Sequence, residues 1–171
     1  VFGLTGFPAS VLHPLIIIDH ALAFAALSLL AGQQPRPGMP AKLGALLLSM
    51  LLGFAALLYL PTWSGAPLLP LASAALCSGL VAWAPALPGW ACALAIGFAG
   101  FSVGLNTIPE AGILLAFLYA LGGAMICAGT LLLAIGFALR PLKRDWQRIG
   151  IRIAGSWIAA SATLVLALTF E

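Results

Sequence analysis

His13-Pro14-Leu15-Ile16-Ile17-Ile18-Asp19-His20 places two imidazoles and a carboxylate at the head of a run that stays apolar as far as Ala31. Elsewhere the charged residues keep almost entirely to the gaps between apolar stretches, so these three stand out. An ionisable side chain inside a membrane span costs on the order of 3 kcal/mol unless something compensates it, which makes such a residue a functional candidate. Pro14 is well placed to open a helix, because the first helical amide has no acceptor to lose. The expectation is a span at about 11–31 with His13 as its cap, and with Asp19 and His20 roughly a third of the way in.

The rest of the chain carries the same message. Of its 171 residues, 63% are hydrophobic and 6% charged, with a mean hydropathy of +1.17. Soluble domains have roughly 25% charged residues, so this chain cannot cover itself in water. Segments of about ten residues alternating with period two, the mark of a transmembrane barrel, are missing. The expected architecture is all-α: one polytopic transmembrane domain over residues 1–171, with six helices in a bundle. The remaining spans fall at about 43–60, 68–84, 89–105, 112–139 and 149–170. Crossing ~30 Å of hydrocarbon takes roughly 17–25 residues, so the third and fourth are short and the fifth has length to spare.

Charge orients the bundle. Arg36 and Lys42 flank the first connection; Arg140, Lys143, Arg144, Arg148 and Arg152 lie in or beside the fifth. With six spans these connections share a side, opposite both termini. The positive-inside rule makes that side cytoplasmic and both termini outer, or periplasmic, in a bacterial-type inner membrane. The formal net charge of +3 is the ordinary basic edge of such a protein and calls for no nucleic-acid partner. The absence of Met before Val1 suits a cleaved signal peptide or a truncated chain equally well. Trp63, Trp83, Trp90 and Trp146 flank the turns as interface anchors. Cys77, Cys92 and Cys127, one to a span and without CxxC spacing, are expected as small buried hydrophobes. Gly97, Gly100 and Gly104 share a helix face, as do several of Gly122, Gly123, Gly129 and Gly136. These faces suit close helix packing within the chain, in a homo-oligomer or in a larger membrane complex.

Imidazole and carboxylate together suit a borderline divalent ion such as nickel, zinc or copper, a proton relay, or a buried polar knot that locks helices together. On a straight helix His13 and His20 lie on one face about 20° apart, but ~10.5 Å apart along the axis. One ion with ligands at ~2.1 Å cannot span that. Either the two are successive stations on a path, or the helix is interrupted between them. Asp19 points about 100° away from His20 and needs a partner from another span. Ser102, Asn106 and Thr107 in the fourth span, and Ser156 and Ser161 in the sixth, are the candidates. Glu110 is placed to join His13 at the outer mouth.

Gly6-Phe7 followed by His13-Pro14-Leu15-x-x-x-Asp19-His20 resembles the HPxxGxDH signature of the HupE/UreJ family. The likeness extends over most of the chain. The resemblance implies a small multi-spanning protein associated with hydrogenase or urease systems, acting as a nickel permease or accessory protein. Two departures stand in this sequence. The signature glycine is Ile17, within Ile16-Ile17-Ile18, and three β-branched residues favour a stiff, packed segment. The second, HGxxHG-type motif has as its counterpart Ser102-Val103-Gly104-Leu105-Asn106-Thr107, which has no histidine. The leading expectation is binding and passage of a divalent transition metal by His13, Asp19 and His20, with Ser102, Asn106, Thr107 and Glu110 in support. No organic cofactor is expected. The alternative is a non-transporting accessory subunit of a larger membrane complex. An enzyme is a distant third, since no nucleophile or complete metal set is visible.

Overall fold

The computed structural model describes residues 7–35, 38–59, 67–107, 114–142 and 144–169. These form seven helices: α1 (Phe7–Ile16), α2 (Ile18–Gln33), α3 (Met39–Tyr59), α4 (Leu68–Trp83), α5 (Gly89–Leu105), α6 (Leu114–Leu139) and α7 (Asp145–Leu168). Among the described residues there is no strand. Three helices are long and apolar enough to cross a membrane, at Met39–Leu57, Leu115–Leu139 and Asp145–Leu168. The pair α1 and α2 makes a fourth if it is counted as one bent span. Helices α4 and α5 are apolar but have 16 and 17 residues, about 24–26 Å of helix against ~30 Å of hydrocarbon.

The first span departs from expectation in two ways. A helix already begins at Phe7 and runs through Pro14, so His13 is an interior residue of α1 and not a cap. The chain then breaks at Ile17, and α2 leaves at 82° to α1. Pro14 lacks the amide that would continue the ladder and so weakens the turn before the break. Ile17 itself sits at φ −78°, ψ 112°, an extended conformation that β-branched residues favour. The isoleucine run thus supplies a helix breaker where stiffness was expected. The last helix also starts earlier than expected, at Asp145, because a charged first turn continues the helix beyond the apolar run.

Helix α2 is the central element. Ala23, Phe24, Ala26, Leu27, Leu30 and Ala31 have no exposed surface, and α2 packs against α1, α4, α5, α6 and α7. A helix apolar on nearly every side is stable only when enclosed in this way. Around it the glycines set the approach of the other helices. A Cβ at Gly53 would overlap the Phe101 carbonyl, and one at Gly104 would overlap that of Met50, so α3 and α5 meet backbone to backbone. Gly100 faces Leu46 and Ser49 in the same seam. The Gly100/Gly104 face is therefore filled from within the chain. Gly123 receives the backbone of Ser10, docking α1 on α6, and Gly155 receives Val81, docking α7 on α4. Phe7 closes the α1–α6 contact with an edge-on approach to Tyr119 at 5.7 Å.

Candidate functional site

The break at Ile17 divides the signature between two helices. His13 lies in the last turn of α1 and is half-buried; Asp19 and His20 lie in the first turn of α2. His20 is the buried member, at 4% exposure, with the Phe24 ring one turn below it at 6.5 Å. Asp19 is half-buried. Asp19 directly precedes His20 in α2, and His13 stands seven residues earlier, across the break. The straight-helix separation no longer applies, and of the two arrangements the spacing left open, the interrupted helix is the one observed.

The helix ends add their own fields. The first amides of α2 are unpaired within the helix and form a positive terminus, where a carboxylate at Asp19 is favoured by about 0.3–1 kcal/mol. The last carbonyls of α1 form a negative terminus on the other side of the break, which favours a cation. Among the described residues none of the three side chains makes a hydrogen bond, and no group of three or more His, Cys, Asp and Glu side chains is assembled closely enough to hold a metal ion. The donor chemistry suits a borderline divalent ion, while the geometry leaves the set open.

Three of the expected supporting residues, Ser102, Asn106 and Thr107, share this end of the bundle. Gln33 at the close of α2 donates to the Val81 carbonyl at 3.1 Å near the close of α4, so α2 and α4 run the same way and begin at the same end. Ser73, early in α4, meets Ser102, late in α5, at 3.1 Å. Ser102, Asn106 and Thr107 therefore lie at the end where α2 starts. Their donors are engaged locally: Ser102 donates to Ala99 O at 2.8 Å, Asn106 to Ser102 O at 2.8 Å and Thr107 to Val103 O at 2.8 Å. Ser156 and Ser161 are exposed on α7, away from the core. Glu110 and Trp63 lie outside the described residues. Cys77, Cys92 and Cys127 are buried free thiols.

A family model described as HupE / UreJ protein matches residues 2–166, nearly the whole chain. The chain belongs to the HupE/UreJ family. Searches of curated proteins and of solved structures each returned no match. Membership ties this HupE/UreJ protein to a membrane family of metal-accessory function, in keeping with its apolar helices.

Lys42 is a residue whose role the sequence reading missed. Placed with the first connection by its charge, it lies in the first turn of α3, 2% exposed. Its ammonium donates to Ala31 O at 2.6 Å and to Gln34 O, carbonyls left over at the end of α2. A cation there satisfies orphan acceptors and complements the helix terminus. A lysine four residues into an apolar helix, eight after a glutamine that ends another, was the available signal.

Proposed function

We propose that this HupE/UreJ protein binds a divalent transition metal, nickel foremost, at the broken first span and passes it across the membrane. The single observation that supports this is the break at Ile17, which puts His13 on one half-helix and Asp19 with His20 on the other. Discontinuous helices are a recurring means of building ion sites in membranes, because half-helix ends present unpaired backbone groups where side-chain ligands converge. Neutral imidazoles supply nitrogen ligands suited to nickel, Asp19 supplies a negative charge against a doubly charged ion, and the α1 terminus adds carbonyl oxygens. Rotation of α1 about Ile17 would close the open ligand set around the ion. The full topology is six crossings, with α1–α2 as one broken span, both termini on the outer side of an inner membrane, and the basic connections inside.

The second reading is a non-transporting accessory subunit. It is favoured by the stretch from Ser102 to Thr107, which has no histidine and offers only hydroxyl and amide groups that each donate to a carbonyl of their own helix. Uptake of nickel into proteoliposomes separates the two. The transport reading expects saturable uptake in the wild type, reduced about tenfold or more in His20→Ala. Wild-type liposomes no more permeable than empty ones would leave the accessory reading.

A further inference from the structure

The opposite end of the bundle holds a second feature, independent of the metal reading. A cavity of about 820 Å³ opens between the end of α2, the start of α3, the residues after α4, and the α6–α7 junction. Four cations line it, Lys42, Arg140, Arg148 and Arg152, against one carboxylate, Asp145. Among the described residues none of these cations is paired with a carboxylate.

Three of the four cations are positioned by something other than an anion. Lys42 is fixed on the Ala31 and Gln34 carbonyls. Arg152 donates through Nε to Ala82 O at 2.9 Å, which leaves both of its terminal nitrogens with their protons unused. Arg140 lies over the Phe137 ring at 4.4 Å, a cation–π contact that holds the guanidinium without neutralising it. The Arg148 side chain makes no hydrogen bond among the described residues. The floor is rigid, because Gln34 ties the loop after α4 from both ends, donating to Pro85 O at 2.8 Å and accepting from Leu87 N at 3.2 Å.

Gathering four cations beside one carboxylate raises a local potential that a multiply hydrogen-bonding anion relieves, and guanidinium forks match phosphate oxygens two at a time. The cavity also has apolar walls, including Trp83 at 75% and Ile149 at 54% exposure. Basic pockets between membrane helices, bordered by interfacial tryptophan, are a recurring setting for phosphate headgroups.

We propose that this cavity is a binding site for a phosphate-bearing anion, held by Arg140, Arg148 and Arg152 above the fixed charge of Lys42. The phosphate has two sources, the phosphodiester headgroup of an anionic lipid and free phosphate from solution. The test reconstitutes the full chain in phosphatidylcholine nanodiscs, as wild type, Arg148→Gln and Arg140→Gln/Arg148→Gln. One arm adds phosphatidylglycerol stepwise; the other adds inorganic phosphate against chloride of equal ionic strength. The readouts are the thermal unfolding midpoint and the lipid retained in native mass spectra.

Saturable stabilisation by phosphatidylglycerol, weakened about fivefold for each arginine removed, upholds the site and assigns it to lipid. Saturable stabilisation by inorganic phosphate with the same arginine dependence upholds it and assigns it to the free anion. An identical response of wild type and Arg148→Gln in both arms, or none in either, overturns it and leaves the basic cluster as a topology signal. Arg148 is exposed and its side chain makes no hydrogen bond among the described residues, so the single variant keeps the test open if the double variant does not fold.

Discussion

Gly123→Ala tests whether the docking of α1 on α6 sets the geometry of the proposed metal site. A Cβ built at Gly123 stands 2.5 Å from the Ser10 carbonyl carbon, 2.6 Å from its oxygen and 2.8 Å from its Cβ. Two of these three atoms are backbone, so no side-chain rotation relieves the overlap. Ordinary contact begins at 3.4 Å, which forces α1 to retreat by about 0.9 Å at an overpacking cost of roughly 1–3 kcal/mol. Ser10 lies one turn before His13 on the same helix, so the displacement reaches the imidazole. The open ligand set closes by rotation of α1 from its seat on α6, so a displaced seat disturbs that closure as loss of a supporting contact does, and nickel affinity falls on the order of 10–100-fold. The seam of α3 and α5 is untouched, so the variant should remain folded. Its neighbour supplies the control, since a Cβ at Gly122 would meet only the Phe7 ring at 3.6 Å. The assay is calorimetric titration of nickel into each purified variant, with a thermal melt alongside. Equal nickel affinity in Gly123→Ala and Gly122→Ala would refute the reasoning, because α1 would then be free of the site.

Two further substitutions probe the basic end. Ala84 closes α4 in the left-handed region, at φ 55° and ψ 44°, where an L-residue bears roughly 1–2 kcal/mol that glycine does not. Ala84→Gly should therefore stabilise the fold in detergent by about 1 kcal/mol after the greater freedom of glycine in the unfolded chain is deducted, seen as a raised unfolding midpoint; a lowered midpoint would contradict this. Lys42→Met removes the donor to the Ala31 and Gln34 carbonyls and leaves two buried acceptors unpaired, at roughly 1–3 kcal/mol each before the relief of an unburied charge. A net loss of about 2 kcal/mol in a denaturation series is expected, and Lys42→Met matching wild type would show that the ammonium contributes nothing.

Much of the fold was legible in apolar run length. The expected segments at 68–84 and 89–105 lie within a residue of α4 and α5, since Pro67, the Ala84–Pro88 turn and Asn106 punctuate them sharply. The close approach at Gly100 and Gly104 was legible too, though only three dimensions show that α3 supplies the partner. The break at Ile17 was not legible in hydropathy, which is continuous from Val11 to Ala31 and blind to backbone direction. Its local signals are Pro14 and the isoleucine run, whose β-branched residues suit extended backbone as well as a stiff helix. The start of α7 escaped because helix propensity extends into charged residues where apolarity stops. The basic cavity escaped for another reason: its cations come from α3, the end of α6 and the start of α7, and their convergence depends on packing. For the proposed site, residue types and spacing single out His13, Asp19 and His20, while their division between two half-helices is visible only in the structure.

The most direct measurement is the nickel K-edge absorption spectrum of the metal-loaded protein, wild type against His13→Ala/His20→Ala. Imidazole scattering in the wild type, lost along with bound nickel in the double variant, is the result expected of a site at the broken span. Nickel bound equally by both proteins, with the same neighbours, would place the metal elsewhere and contradict the account.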